Sequence, residues 1–504
     1  MPDLASVREI FRYTGHNALE LALMESHQHF QKARMARDAR FDGLFFVAVK
    51  STGIYCRPTC PAPPAKEQNV EYFPSAITAA VAGFRPCLRC RPDSAPGSPA
   101  WLGSDTTLRR AVKLIEQGAL IDGNQQQLCA RLGISDRYLR KLFQRLGISA
   151  KQYALYQQVL FAKQLLHQTA LPVADIALHA GFHSVRRFQD EFKQQLKLTP
   201  SQIRGHRMTQ PSPLLQLELA YRPPLAWQHL LYFWHARTLS GMEWQQADGY
   251  GRTFSIDDRH GWFAVRPDPV KPVLQLTLHW PHSDGLSIVI SKLRRLLDLD
   301  ADMQQIDQHI GGFFQGSHIP GLRIPGVWDR WEAAVRAVLG QQVSVAGARA
   351  QLNRLCTELG ERVFDLETPD GVAMRLFPTP TAVADSDLLM IKVPQARRDT
   401  LRSLAQAMLK NPDADPAEWL SIKGIGPWTI SYAKMRGMSE SDIWLAGDLG
   451  IQKALQQRTA PITEAMLSPW RSYATLQLWF NLPTKPSKKL KPADNKVQAA
   501  DSKN

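Results

Sequence analysis

Apolar residues recur along this chain in distinct rhythms. Between residues 215 and 278, Leu215 to Leu219, Gly261 to Val265 and Val273 to Leu278 alternate with polar neighbours, the period-two mark of half-buried strands. Around Trp227 to Arg237 and Leu286 to Leu299 the spacing lengthens to three and four, so two helices are predicted beside an antiparallel sheet, a small α+β domain. A shorter apolar run, Phe45 to Val49 followed by Ile54 and Tyr55, predicts strands near the front. Residues 101–210 read as helices and contain a repeat. Leu128 to Phe143 and Ile176 to Phe192 each hold an apolar helix closing at a glycine (Gly133, Gly181), a short turn, and a serine (Ser135, Ser184) placed to cap a second helix. That is helix-turn-helix grammar written twice, about 49 residues apart. The last third is helical, and Trp419 to Tyr432 reads as helix, tight Gly-x-Gly hairpin, helix.

Length divides these patterns into domains. Single cores rarely grow past ~250 to 300 residues, so 504 residues predict three or four units. Proline- and serine-rich stretches at Arg91 to Pro99 and Thr209 to Pro213 read as linkers. Residues 485–504 carry six lysines against two aspartates and read as a disordered tail with weak nonspecific DNA affinity. The first 25 or so residues form an amphipathic pattern without a legible motif, and Met24 is an alternative start. No stretch reaches the ~18 apolar residues of a membrane helix, and the first 30 residues lack a signal-peptide core. A cytoplasmic, nucleoid-associated protein is expected.

Charge then narrows the partner. The formal net charge is +15, and residues 101–210 hold 16 Lys and Arg against 7 Asp and Glu. Arg137, Arg140 and Lys141 on the first recognition helix, with Arg186 and Arg187 on the second, are the expected base or phosphate contacts in double-stranded DNA. A helical bundle with a solvated basic face is the plainer alternative.

Four of the six cysteines fall as Cys56-x3-Cys60 and Cys87-x2-Cys90, two short pairs separated by 26 residues. Each pair can supply two thiolates from one turn, a ligand set for one Zn(2+) per chain. Four thiolates on a divalent cation leave net negative charge, so an exposed sulfur stays nucleophilic. A purely structural zinc staple is the alternative. Cys129 and Cys356 stand alone in helical patterns and read as inert core thiols. In the hairpin, Gly424 and Gly426 let backbone approach a phosphate, with Lys423 beside them and Pro427 opening a helix whose free amides attract anions. Twenty-two residues past Gly426 stands Asp448 in an apolar setting, either a helix N-cap or a working carboxylate, and the two roles are compatible.

Three resemblances sharpen these readings. Thr52 to Cys60 and Ala82 to Cys90 resemble the N-terminal domain of Ada adaptive-response proteins. That likeness implies that zinc-bound Cys56 accepts a methyl group from a DNA methylphosphotriester, with Cys60, Cys87 and Cys90 completing the site. The repeat, with Gly181 to Phe188 and the closing Leu198 to Arg204, resembles the AraC family of transcription activators, which implies promoter DNA and RNA polymerase as partners. Residues 214–482, including Trp331 to Val345 and Pro469 to Trp479, resemble helix-hairpin-helix DNA glycosylases of the AlkA type. This last resemblance implies Asp448 as the catalytic carboxylate, Trp428, Tyr432 and Trp479 as base-pocket walls, Gln342 at the wedge position where AlkA has leucine, and a monovalent cation on the carbonyls of Leu420, Lys423 and Ile425. Strand-cutting relatives carry a lysine where this chain has Trp428, which implies hydrolysis without a Schiff base.

The expected fold is therefore multidomain α+β: a small zinc-bound α/β domain (30–95), an all-α double helix-turn-helix (103–208), a TATA-binding-protein-like α+β domain (214–312), an all-α helix-hairpin-helix glycosylase domain (313–482) and the tail (483–504). The expected activity is a monomeric alkylation-damage sensor that activates genes and excises 3-methyladenine-type bases. A repair glycosylase merely tethered by its front half, or a transcription factor with an inactive rear half, are the alternatives. The Pro-Cys-His-Arg setting of Ada's second methyl acceptor is absent from this sequence, so reversal of O6-methylguanine is not expected.

Overall fold

The computed structural model describes residues 27–482 apart from 28, 38–40, 42–44, 61, 75, 91, 93–105, 117, 122, 145, 205–213, 247, 364–373, 413 and 459–461. The N-terminal pattern with Met24, both linkers but for Pro92, and the basic tail lie outside the described residues.

The front unit is a four-stranded sheet in the order β3-β1-β2-β4, from β1 (Phe46–Val49), β2 (Ile54–Cys56), β3 (Val70–Phe73) and β4 (Arg85–Pro86). Alternation sends Val47 to one small core with Phe45 and Val70, and Phe46 and Ala48 to another with Tyr55 and Ala79. The pairing of β2 with β4 is parallel, so both strands deliver a cysteine at the same end: Cys56 closes β2, Cys87 follows β4, and the Cys87 amide donates to Tyr55 O at 2.9 Å.

The next unit is all helical. Gly133, in the left-handed region at φ 68°, ends the Gln125–Leu132 helix, and Ser135 Oγ accepts from Tyr138 N at the start of Asp136–Gln144. In the second unit Ala180 closes Val173–His179 one residue before Gly181 (φ 84°), and Ser184 caps Val185–Leu196. The long Ala150–Gln168 helix, opened by a Ser149/Gln152 capping box, connects the two.

The α+β domain is a five-stranded antiparallel sheet in the order β5-β9-β8-β7-β6: β5 (Leu214–Ala220), β6 (Glu243–Gln246), β7 (Gly249–Ile256), β8 (Arg259–Pro267) and β9 (Val273–His279). Alternation predicts only β5, β8 and β9. In β7 polar Arg252 and Thr253 are as buried as Tyr250 and Phe254, and in β6 Glu243 is buried, so neither strand shows a clean apolar face in sequence. Helices Trp227–His235 and Leu286–Leu296 contribute Leu230, Phe233, Leu286 and Leu293 to the core under this sheet. The expectation of an all-α rear domain needs correction. Among its helices lies a two-stranded ribbon, Arg362–Val363 with Met374–Arg375, whose Val363 and Met374 pack on Trp262.

These units are packed together rather than strung out. Ile77 of the front unit joins the core of the first helix-turn-helix, and Tyr55 and Tyr156 share a buried hydroxyl hydrogen bond of 2.5 Å. The core of the second helix-turn-helix, with Ile176, Phe188 and Phe192, runs without a break into that of the α+β sheet. Strand β5 is an edge, and the long helix covers it: Gln168 Oε1 accepts from Glu218 N at 3.0 Å, and Gln164 Nε2 donates to Glu218 O at 3.3 Å.

Sheet and rear helices are joined by a buried ion network. Arg252 on β7 donates to both oxygens of Glu332 (3.1 and 2.8 Å), and Arg336 donates to Glu332 (2.8 Å) and to Glu243 (3.0 Å). Burial alone would raise the Glu332 carboxyl, but Arg252 and Arg336 outweigh it and hold Glu332 at about 2. Because the folded value is depressed, its stabilisation is complete above the usual carboxylate range and is lost as pH falls toward 2. Glu332→Ala should leave two buried guanidiniums to share Glu243 alone and cost about 3–5 kcal/mol. In urea unfolding, the gap between wild type and Glu332→Gln should narrow as pH drops from about 5 toward 2.

Two candidate reactive centres

The first centre forms where β2 and β4 end. The sulfurs of Cys56, Cys60, Cys87 and Cys90 all lie within 4.8 Å of one another, with Cys60 and Cys87 4.0 Å apart. Tetrahedral Zn–S bonds of ~2.3 Å require sulfurs ~3.8 Å apart, so this set fits one zinc ion. Cys87 is buried and the other three are half-buried, which leaves Cys56 approachable. The thiols act strongly on one another. The Cys56 thiol is pushed far up by its hydrogen bond to Cys90, by burial and by the surrounding sulfurs. Cys60 rises to about 11, mainly through burial. Cys90 falls to about 6 because Cys56, and then the Arg57 amide (3.4 Å), donate to it. Four sulfurs this close cannot all ionise unaided, so a divalent cation is the natural complement of the donor set.

The second centre surrounds Asp448, which is half-buried. It is indeed the N-cap of Leu449–Gln456: Oδ1 accepts from Gly450 N (2.9 Å) and Ile451 N (3.1 Å). The same carboxylate is also gripped by two indoles, Trp479 Nε1 to Oδ1 at 3.0 Å and Trp428 Nε1 to Oδ2 at 3.2 Å. Oδ1 therefore has three donors and Oδ2 one, leaving Oδ2 with spare acceptor capacity. Trp428 stacks on Tyr432 (centroids 5.2 Å, 27°), and Trp479 lies parallel to Phe233 (6.3 Å, 21°). Two aromatic walls thus flank the acid.

The structure brings Asp448, Trp428, Tyr432 and Trp479 together. It places Gln342 on the loop after Arg330–Gly340, exposed and left-handed at φ 56°, conformational strain of the kind concentrated at working loops. The hairpin's first arm is a 3-10 turn, Pro416–Ser421, because proline opens it and only six residues are available. Gly424 (φ 92°) is obligatory: an added Cβ would lie 2.3 Å from Thr400 Oγ1, whose hydroxyl donates to Lys423 O at 2.9 Å. Gly426 faces open space. Lys423 and Gly424 are exposed, as are Arg137, Arg140, Lys141, Arg186 and Arg187 on their helices, where Arg140 also pairs with Asp136.

Two residues escaped sequence reading. Phe233 sits on a helix of the α+β domain, and no local pattern ties it to Asp448. Gly450 did carry a signal, as a glycine two residues past the acid: an added Cβ would approach Asp448 Oδ1 to 2.9 Å and Leu482 Cδ1 to 3.0 Å.

Comparisons with known proteins cover both centres. Family models described as the metal binding domain of Ada, a helix-turn-helix domain and the AlkA N-terminal domain match residues 29–93, 128–206 and 216–329. A probable bifunctional transcriptional activator/DNA repair enzyme AlkA of Mycobacterium tuberculosis (strain CDC 1551 / Oshkosh) is 34% identical over 487 residues, covering 90% of this chain and 97% of the relative. DNA-3-methyladenine glycosylase 2 of Escherichia coli (strain K12) is 33% identical over 285 residues, 52% of this chain and 96% of that protein. The bifunctional transcriptional activator/DNA repair enzyme Ada of the same strain is 34% identical over 173 residues, 34% of this chain and 47% of that protein.

Metal analysis of purified protein should return one zinc per chain. Cys87→Ser, which removes the buried ligand, should lower that content to near zero and release the front sheet to proteolysis.

Proposed function

Because the chain belongs to the family of bifunctional transcriptional activator/DNA repair proteins that join an Ada-type front to an AlkA-type glycosylase, we propose that it answers DNA alkylation twice, by taking up a methyl group and by excising damaged bases. One observation carries the second role: a half-buried carboxylate held by two indoles, each of which packs against a further aromatic ring. The first role rests on the approachable Cys56 within the four-sulfur cluster.

Zinc held by Cys56, Cys60, Cys87 and Cys90 would supply the charge that keeps their sulfurs ionised at neutral pH. The Cys56 sulfur attacks the methyl carbon of a phosphotriester, the S–C bond forms and the C–O bond breaks. The electron pair goes to the phosphate oxygen, which restores the anionic diester, and Cys56 becomes a neutral thioether. One negative charge has left the protein face that meets DNA, so its repulsion of the backbone falls. The basic recognition helices, Arg137, Arg140 and Lys141 with Arg186 and Arg187, then hold promoter DNA more tightly, and RNA polymerase is recruited.

In the rear half a flipped alkylated purine enters between Trp428, Tyr432 and Trp479. Its positive charge makes it a good leaving group and suits electron-rich ring faces, by about 0.5–2 kcal/mol per contact. As the C1′–N bond breaks, Asp448 faces the sugar's developing positive charge, and Oδ2, with one donor, orients the attacking water and takes its proton. Trp428 occupies the position of the lysine in strand-cutting relatives, so the reaction is hydrolytic and monofunctional. Gln342 occupies the gap left by the flipped base, and Lys423, Gly424 and Gly426 hold the phosphate beside it. A monovalent cation on the carbonyls of Leu420, Lys423 and Ile425 would serve the same contact.

The domain limits suited to this reading are 30–95, 103–208, 214–312 and 313–482, in a monomer acting in the cytoplasm. No helix among the described residues is long and apolar enough to cross a membrane.

Asp448→Asn should slow 3-methyladenine release from alkylated DNA about 10² to 10⁴-fold while zinc content stays unchanged. Cys56→Ala should abolish both transfer of radiolabelled methyl from phosphotriesters and induction in a promoter-reporter assay. Unaltered induction would instead favour the tethered-repair reading.

A further inference from the structure

The loop that carries Gln342 runs only from Gln341 to Ser344, between the helices Arg330–Gly340 and Val345–Leu359. Ser344 fixes its far end, where Oγ accepts from Gly347 N at 3.1 Å. Gln341 fixes its near end by reaching outside its own helix. Its Nε2 donates to Gly424 O in the hairpin and to Thr429 Oγ1 in the first turn of Pro427–Met438, both at 3.0 Å. A side-chain amide nitrogen carries two hydrogens, so both are taken up on the hairpin side. The Gly424 carbonyl can only accept, which settles the orientation of the amide.

Solvation does not call for this contact. Gly424 is exposed, so water can satisfy its carbonyl, and a protein donor there adds position rather than the rescue of a buried group. Thr429 is 1% exposed and anchors the same amide from the interior. At their opposite ends the two helices touch directly: an added Cβ on Gly437 would lie 2.8 Å from Arg330 Cα and 2.9 Å from Ala333 Cβ. Close packing therefore fixes one end of the helix pair, and the Gln341 amide fixes the end beside Gln342.

We propose that Gln341 is a positioning residue for base excision: by joining the Gln342 loop to the hairpin, it sets the distance between the side chain that fills the gap in the duplex and the amides that hold the neighbouring phosphate. The proposal rests on the glycosylase reading of Gln342 and of the hairpin.

Flipping a base costs stacking and pairing, and that cost is recovered through two contacts made together, the filled gap and the gripped backbone. If their separation is preset, both form without ordering the loop at the moment of binding. A loose loop has to be ordered then, and the flipped state is populated less. The left-handed backbone of Gln342 (φ 56°) makes the same demand, because a residue with a side chain stays in that region only when its surroundings hold it. Gln341 is the neighbour tied to the hairpin. Its influence should therefore scale with the work of flipping: large for a lesion paired with an opposite base, small for one that faces no partner.

Single-turnover release of 7-methylguanine from two duplexes tests this, one with the lesion opposite cytosine and one with it opposite an abasic-site analogue. Gln341→Met keeps the length of the side chain and removes both donors. It should slow release opposite cytosine about tenfold and leave release opposite the analogue within about twofold of wild type. In a Gln342→Ala background the same substitution should change the rate by less than about twofold, since its influence passes through that residue. Thr429→Val, which takes one acceptor from the amide and keeps the shape, should give a smaller loss with the same dependence on the opposite base. An equal fall on both duplexes, as a misfolded variant gives, overturns the proposal, and so does an unchanged rate opposite cytosine. If Gln342→Ala alone leaves the rate opposite cytosine intact, the gap-filling role of Gln342 fails and the inference falls with it. A wild type that releases no 7-methylguanine from either duplex would instead remove the glycosylase reading itself.

Discussion

The aromatic cluster around Asp448 is assembled across a domain boundary, and four buried charges hold that boundary in place. Phe233 and Arg237 come from the α+β domain, whereas Trp428, Tyr432 and Asp448 come from the rear helices. The network of Arg252, Glu332, Arg336 and Glu243 helps to set the distance between them, because each carboxylate is shared between guanidiniums and the arrangement tolerates little sliding of the sheet over Arg330–Gly340. Buried ion pairs add little net stability compared with apolar packing, but they are demanding about geometry, and geometry is what a two-domain pocket needs. The Arg336 contact to the Arg237 carbonyl connects the same network to the end of the helix that carries Phe233.

How much of this could be read from the chain depends on whether the signal was local. The cysteine pairs, the two Gly-turn-Ser repeats and the Gly-x-Gly hairpin are short-range patterns, and the structure puts each on the expected element. Strands β5, β8 and β9 showed in alternation, while β7 did not, because the partner that neutralises Arg252 lies 80 residues away. The rear ribbon of Arg362–Val363 and Met374–Arg375 is two residues per strand, too short for any period to show.

The candidate sites follow the same rule. Asp448 and its indoles were legible because hairpin and acid are close in sequence, and the carboxylate that caps a helix also accepts from the Trp428 indole. Phe233, Arg237 and Arg436 were not, since Phe233 meets Trp479 and Arg436 only after two domains pack together. A sequence motif marks residues that must be near each other along the chain. It is silent about walls supplied from elsewhere.

Strand β5 offers a wider lesson. Its outer rim is capped by Gln164 and Gln168, side chains that belong to the transcription-factor module. An exposed strand rim invites pairing with stray chains, so a glycosylase cut free of its front partner would present an adhesive border to its neighbours. The amides of Gln164 and Gln168 thus belong to both halves at once, and a sheet parted from the long helix has to shield that seam by other means.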